Sequence, residues 1–152
     1  MTRFRRILVP VDGSPTSTQA LATAIVMAAD SGGRLRLVHS ADEPAYFGAL
    51  DVSAQALQAV RDAGTRVLED ALAGARNAGV PAESQLLDPQ PLGEAVAQEA
   101  RAWNADLIVV GSHGRRGLGR LMLGSGAEQI IRSAPVSVLV IRAHDADPKA
   151  PA

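Results

Sequence analysis

Hydrophobic residues along the chain fall into two kinds of segment that alternate. Five short runs rich in aliphatic and β-branched residues are separated by longer, alanine-rich segments whose apolar positions recur at helical spacing. Strands that alternate with helices in this way are typical of βαβ units, in which the strands form a parallel sheet. The pattern therefore predicts a single doubly wound α/β domain with five strands and helices on both faces of the sheet.

The boundaries of the predicted elements follow from the turn and capping residues between the runs. The predicted strands cover residues 5–11, 34–40, 80–88, 106–111 and 135–142. The predicted helices cover residues 15–31, 53–77, 91–103 and 125–133. Ser14 is expected to cap the first helix and Pro15 to occupy its first position, whereas Gly32 ends it. The fourth strand, DLIVVG, is uniformly apolar, which predicts a central strand covered on both faces.

Composition narrows the class of protein. A chain of 152 residues that is 47% hydrophobic is sufficient for one domain with a sizeable core. It contains no cysteine, which excludes disulfides and thiolate chemistry and agrees with a cytoplasmic location. No apolar stretch approaches the roughly 18 residues of a membrane-spanning helix, so no membrane partner is expected. With a net charge of -1, no nucleic-acid partner is expected either.

Lysine is almost absent from the chain. Of its 15 basic residues only Lys149 is a lysine, and it lies in the segment 144–152, whose composition predicts a disordered tail after a domain of residues 1–143. The predicted domain therefore lacks the lysine of a phosphate-binding P-loop, of a Schiff-base enzyme and of a response-regulator receiver domain.

Six glycines lie between residues 110 and 135, where the fourth strand is followed by a helix. They match neither the P-loop pattern nor the dinucleotide pattern GxGxxG, but they form Gly111-x2-Gly114-x9-Gly124-Ser125. The free N–H groups at the start of the following helix and the helix dipole favour an anion, and arginines follow the second glycine. The amides concerned are those of Ser125, Gly126 and Ala127, and the nearby cations are Arg115, Arg116 and Arg120.

Two local alternatives need no ligand. Ser125 and Glu128 form an S-x-x-E pattern, and such a capping box would satisfy the donors at the helix start internally. Asp12 precedes a glycine, so its carboxylate could serve the turn alone. The insertion of residues 41–52 is either a surface loop or a lid or partner-binding loop.

The expected position of the glycine segment favours a ligand site. In the strand order 3-2-1-4-5 the first and fourth strands are neighbours at the switch point, where doubly wound sheets bind ligands outside the carboxyl ends of their strands. Asp12 would face this crevice and accept hydrogen bonds from ribose hydroxyls. Pro10, Val11 and Val38 would supply an apolar slot and backbone groups for a flat base.

Histidine chemistry is not expected at this site. His113 lies beside Ser112, but neighbours in sequence do not have the geometry of a catalytic triad, which makes His113 a loop residue or ligand contact. His39 and His144 form no metal-ligand spacing with it. No catalytic residue is assigned.

Three segments together resemble the universal stress protein family: ILVPVDGS near the start, DLIVVGSHGRRGLGRLMLGS in the middle and PVSVLVIR near the end. The resemblance covers about residues 3–142, and Gly111, Gly114, Gly124 and Ser125 match the family's nucleotide-binding signature G-2x-G-9x-G-(S/T). By position, it implies that the following residues contact an adenine nucleotide: Pro10, Val11, Asp12, Val38, Gly111, Ser112, His113, Gly114, Arg115, Arg116, Gly117, Gly124, Ser125, Gly126 and Ala127.

The resemblance also implies a function. A member of the ATP-binding branch would bind ATP, with Mg²⁺ as its companion, or AMP or cyclic AMP, and act as a nucleotide-responsive stress or signalling protein. Turnover is expected to be slow or absent. The family usually forms homodimers through its last strand, which places Val136, Val138 and Val140 at the interface. The alternatives are a nucleotide-free dimeric interaction module, and a hydrolase or nucleotidyl-transfer enzyme, for which VDGSPTS lacks the required SGGxDS-like loop.

Overall fold

The computed structural model describes residues 3–41, 53–113 and 123–142, and the strands within these ranges form one parallel sheet. The strands are β1 (Arg6–Pro10), β2 (Arg34–Ser40), β3 (Ala82–Leu87), β4 (Leu107–Gly111) and β5 (Ser137–Ile141). The helices are α1 (Pro15–Ser31), α2 (Ala54–Asn77), α3 (Leu92–Trp103) and α4 (Ser125–Ser133). The sheet order is β3-β2-β1-β4-β5, so the predicted fold class and strand order are confirmed.

Several predicted helices and strands extend one or two residues beyond the ends of the observed elements. Pro91 was predicted inside the third helix, but its ψ of 133° is not helical and it precedes the helix as the N-cap. Ser53 likewise caps the second helix from outside, and its side chain accepts a hydrogen bond from the N–H of Ala56. The last strand begins at Ser137 rather than at Pro135, a residue that has no N–H to donate to a ladder.

The ends of α1 form as its sequence predicts. Ser14 is the N-cap, its hydroxyl oxygen accepts the N–H of Ser17 at 3.2 Å, and Pro15 follows at the first helical position. At the other end Gly32 has a φ of 70°, in the left-handed region that glycine adopts without strain. The capped start fixes the direction in which the chain leaves β1.

The core consists of two apolar layers on opposite faces of the sheet. Because side chains alternate along a strand, Ile7 of β1 belongs to the layer covered by α1 and α2, whereas the adjacent Leu8 belongs to the layer covered by α3 and α4. Leu68 of α2 lies in the first layer, and Val96 of α3 and Ile130 of α4 lie in the second. Helices therefore cover both faces, as predicted.

A polar network ties α3 to the sheet near the amino-terminal ends of the strands. Arg36 of β2 contacts Glu99 of α3 at 2.6 Å and Glu83 of β3 at 3.1 Å. The indole N–H of Trp103 donates to the other carboxylate oxygen of Glu83 at 2.6 Å, and the Arg6 guanidinium lies 4.3 Å from the centre of the indole ring. These contacts hold the end of α3 against three strands.

None of the helices in the described ranges is both long and apolar enough to span a lipid bilayer.

Helices α3 and α4 approach closely at Gly93. A Cβ atom at this position would lie 2.5 Å from the carbonyl oxygen of Gln129 and 2.9 Å from the hydroxyl of Ser133, both in α4. The first of these neighbours is backbone, which cannot move aside as a flexible side chain can. The packing of α4 against α3 therefore requires a residue without a side chain at position 93.

We predict that Gly93→Ala lowers the free energy of unfolding by about 1–3 kcal/mol, because the added methyl group must push the two helices apart. Gly74→Ala in α2 is the matched control, since nothing lies within 4 Å of a Cβ atom there. Alanine at position 74 should leave stability unchanged or raise it by up to about 1 kcal/mol through helix propensity. Urea denaturation measures both, and equal midpoints for the two variants would contradict the prediction.

Candidate functional site

The candidate crevice is defined by the point at which β1 and β4 stop pairing. β1 pairs with β2 along its whole length, from Arg6 to Pro10, but with β4 only at Ile7 and Leu8. Alternate residues of a parallel strand hydrogen-bond to the same neighbour, so Pro10 is the next residue of β1 that would donate to β4. Proline has no N–H, and the ladder ends before it. The candidate site is therefore the region at the carboxyl ends of these strands, at the switch point of the sheet.

Asp12 lies in the turn that connects β1 to α1. Its carboxylate Oδ1 accepts the N–H of Ser14 at 2.8 Å, its own N–H donates to the hydroxyl of Ser17 at 3.1 Å, and Gly13 follows with a φ of 82°. The turn interpretation of Asp12 is thus confirmed. A turn role does not exclude ribose binding, because a carboxylate has roughly four acceptor positions.

Val11 and Val38 meet through their backbones, and their side chains enter different core layers. The N–H of Val11 donates to the Val38 carbonyl at 2.8 Å, and the side chain of Val38 is fully buried. The carbonyl and side chain of Val38 are therefore engaged within the protein, which corrects its expected role in the wall of an apolar slot. Pro10, in contrast, remains partly exposed.

Ser40 is a further candidate residue at this edge of the sheet, and the sequence interpretation did not name it. Pro10 is paired with Val38, so β2 continues for two residues beyond the end of β1. Backbone groups of alternate residues point to the same side, so the N–H and C=O of Ser40 point toward β1, as those of Val38 do, but beyond its last paired residue. Only the register of the two strands, which local sequence patterns do not contain, could have indicated Ser40.

The end of β4 packs directly against the first turn of α1. A Cβ atom on Gly111 would lie 2.8 Å from Thr16 Cγ2 and 3.1 Å from the Thr16 carbonyl carbon. The first motif glycine is thus required by packing between protein segments. Beyond it, Ser112 is buried, and Nε2 of His113 lies 3.5 Å from the hydroxyl of Thr16. The switch-point crevice is bounded here by β4 and α1 together.

Gly124 joins the two halves of the glycine motif. Its N–H donates to the Ser112 carbonyl at 2.7 Å, and a Cβ atom on it would lie 3.1 Å from the Cα of His113. The N–H of Ser112 donates in turn to the Ile141 carbonyl of β5 at 2.8 Å. The start of α4 is therefore held against the end of β4, as the sequence interpretation expected of two parts of one site.

The first turn of α4 is not closed by a capping box. Gly124 is the N-cap, with φ and ψ of -70° and 158°, so Ser125 lies inside the helix and its side chain does not cap it. The N–H of Glu128 donates to the Gly124 carbonyl at 3.0 Å, as in any helical turn. The capping-box alternative was wrong by one residue. The amides of Ser125, Gly126 and Ala127 thus have no acceptor within the helix.

The valines expected at a dimer interface lie on the edge strand β5 or directly before it. Their side chains are partly buried against the layer of α3 and α4. Because Ile141 accepts the N–H of Ser112, the backbone groups of Ile141 and Leu139 point toward β4, and those of Val138 and Val140 point outward. The outer edge of β5 therefore presents these backbone groups. The three valines are Val136, Val138 and Val140.

Some predicted positions lie outside the described residues. They are Gly114, Arg115, Arg116, Gly117 and Arg120 of the glycine segment, residues 42–52 of the insertion and the tail 144–152. Within the described ranges, no three histidine, aspartate or glutamate side chains are grouped as a metal site requires.

Residues 3–142 match the sequence profile of the universal stress protein family. The chain belongs to this family. It is 36% identical over 140 residues to a universal stress protein of Thermus aquaticus, covering 91% of this chain and 99% of that protein. The resemblance on which the site assignment rests is thereby confirmed at the level of the family.

Solved structures of the family have the same fold. A universal stress protein from Burkholderia pseudomallei is 34% identical, with a TM-score of 0.74 and coverage of 92% of this chain and 97% of that one. The crystal structure of a universal stress protein in complex with cyclic AMP is 25% identical, with a TM-score of 0.70 and coverage of 94% and 100%.

We predict that Gly111→Ala lowers the free energy of unfolding by about 1–3 kcal/mol, because its methyl group would overlap the side chain and backbone of Thr16. Thr16→Ser removes Cγ2, the nearest of these atoms. Gly111→Ala should therefore lower the free energy of unfolding less in a Thr16→Ser background than in the unsubstituted protein. A double-mutant cycle from urea denaturation measures this coupling. Strictly additive effects would show that the two residues do not compete for space.

Proposed function

We propose that this protein binds ATP or a related adenine nucleotide in the crevice between β1 and β4, and that occupancy regulates a stress or signalling response. The observation that carries the proposal is the first turn of α4, for which Gly124 provides no side-chain cap, and which the hydrogen bond from the Gly124 N–H to the Ser112 carbonyl holds beside the end of β4. The cyclic AMP complex of a family member supports an adenine nucleotide as the ligand class.

Phosphate groups would bind at the start of α4. The amides of Ser125, Gly126 and Ala127 are oriented along the helix axis, and the dipole adds about half a positive charge at this end. Arg115 and Arg116, which follow the second motif glycine in the sequence, would add cationic hydrogen-bond donors for a triphosphate. Mg²⁺ would accompany ATP mainly through the phosphate oxygens and water, as is usual for this ion.

The nucleoside would occupy the opposite side of the crevice. The Asp12 carboxylate would accept ribose hydroxyls, and the partly exposed Pro10 would contact the apolar base. The N–H and C=O of Ser40 form a donor and acceptor pair that matches the acceptor N1 and the amino group of adenine. In this arrangement the ends of β1 and β2 bind the nucleoside, and the start of α4 binds the phosphate groups.

We predict that Ser125→Pro weakens ATP binding at least about tenfold, because it removes one of the amides that bind phosphate. Proline is tolerated at the first position of a helix, and the ψ of 158° at Gly124 suits a residue that precedes proline. Ser125→Ala is the matched control, since it removes the hydroxyl and retains the N–H. Calorimetric titration with ATP, AMP and cyclic AMP measures the affinities.

Equal affinities of the proline and alanine variants would contradict phosphate binding at this turn. If the unsubstituted protein binds none of the three nucleotides at near-millimolar concentration, the nucleotide proposal fails and the nucleotide-free interaction module takes its place.

We also propose that two copies pair through β5. The outward backbone groups of Val138 and Val140 form a sheet edge that pairs with no other strand of the described residues, and such edges are covered in native proteins by charge, by a neighbouring segment or by another strand. The side chains of the strand are aliphatic apart from Ser137, so a second copy of the strand would cover it.

We predict that Val140→Pro converts a dimer into a monomer, because it removes an N–H on the outer edge and leaves the hydrogen bonds to β4 intact. Val140→Ala truncates the side chain but keeps the N–H, and should remain dimeric. Light scattering coupled to size-exclusion chromatography gives the mass of each variant. A monomeric unsubstituted protein, or a dimeric proline variant, would contradict pairing through β5.

A further inference from the structure

The peptide unit between Val11 and Asp12 is held at both of its polar ends by buried side chains. Its carbonyl, on Val11, accepts a hydrogen bond from Nδ1 of His39 at 2.7 Å. Its N–H, on Asp12, donates to the hydroxyl of Ser17 at 3.1 Å. His39 belongs to β2 and Ser17 to α1, and they are 8% and 6% exposed. Two different elements therefore fix one peptide plane at the point where β1 has ended.

The His39 side chain is fixed in turn by α2. A Cβ atom at Gly64 would lie 2.7 Å from Cδ2 and 3.2 Å from Nε2 of the imidazole, so the helix backbone contacts the ring closely. A carbonyl oxygen can only accept, which means that Nδ1 carries the hydrogen. Both the neutral tautomer that is protonated on Nδ1 and the charged imidazolium carry this N–H.

The Ser17 contact belongs to the capped start of α1. The N–H of Ser17 donates to the Ser14 hydroxyl at 3.2 Å, and the N–H of Ser14 donates to the Asp12 carboxylate at 2.8 Å. The backbone and the side chain of Asp12 are therefore both oriented by the first turn of this helix. A change at Ser17 would rotate the peptide that precedes Asp12 and, with it, the carboxylate.

We propose that Ser17 and His39 are positioning residues for nucleotide binding, which hold the peptide between Val11 and Asp12 so that the carboxylate faces the ribose. The inference rests on the nucleotide-binding function proposed above. Neither side chain touches the nucleotide, and both act through Asp12. Their substitution should therefore remove the part of the affinity that depends on the ribose hydroxyls and leave the part due to phosphate and base.

The experiment compares ATP with dideoxy-ATP, which lacks both ribose hydroxyls, by calorimetry on the full chain. Ser17→Ala removes one contact, and His39→Phe removes the other while retaining an aromatic ring. Thr18→Ala is the control for Ser17, because it removes a hydroxyl from the same helical turn that donates only to the Ser14 carbonyl. His39→Asn is the conservative variant, since its amide N–H₂ can replace Nδ1 as the donor.

We expect Ser17→Ala and His39→Phe each to weaken ATP about tenfold and to change the affinity for dideoxy-ATP less than about twofold. Thr18→Ala should bind ATP normally, and His39→Asn should recover most of the loss. In an Asp12→Ala background, neither substitution should weaken ATP further, because the group that they orient is absent.

Equal weakening of ATP and dideoxy-ATP, or effects that add to that of Asp12→Ala, would overturn the inference and assign these residues to stability alone. If His39→Phe does not fold, Ser17→Ala decides the outcome in the same way. A protein that binds ATP but is unaffected by Ser17→Ala contradicts only the positioning role. Failure of the unsubstituted protein to bind any adenine nucleotide overturns the proposed function, and this inference with it.

Discussion

The missing N–H of Pro10 is the constraint from which the geometry of the site follows. A parallel sheet binds its strands through evenly spaced hydrogen bonds, and β1 and β4 are paired only up to Leu8. Beyond this point β1 remains paired with β2 alone, so the crevice opens on the side of β4. The Asp12 turn follows β1, and the hydrogen bond from Gly124 to Ser112 holds the start of α4 beside the end of β4. The two apolar layers below the crevice keep both strands in place.

The glycine motif combines residues required by close packing with backbone amides that can bind an anion. Gly111 and Gly124 are required because neighbouring atoms occupy the space of a side chain, at 2.8 Å from Thr16 Cγ2 and at 3.1 Å from the Cα of His113. The chemistry that an anion would use resides in the amides of the following helical turn. The glycines set the distances between backbone segments, and the helix start supplies the donors. A motif of this kind therefore depends on two segments whose glycines, Gly111 and Gly124, lie 13 positions apart in the sequence.

The sequence allowed the order of the elements along the chain to be predicted, because strongly apolar runs such as β4 and clear caps such as Ser14 are local signals, and the predicted sheet order is also observed. The features that the sequence interpretation missed depend on the register of neighbouring strands and on the backbone dihedral angles of single residues. The backbone groups of Ser40, rather than those of Val38, point past the last paired residue of β1, because β2 is two residues longer at this end. The capping box at Ser125 fails because Gly124 adopts the extended N-cap conformation, a difference of one residue that periodicity does not resolve.

Ser112 belongs to two hydrogen-bonded systems. Its N–H is part of the ladder to β5, and its carbonyl receives the N–H of the residue that begins α4. It is also buried, so neither group can exchange its partner for water without exposing the core. A single residue thus connects the edge strand β5 to the first turn of α4 by hydrogen bonds. A displacement of β5 would therefore be transmitted directly to the start of α4, because no flexible segment lies between the two hydrogen bonds.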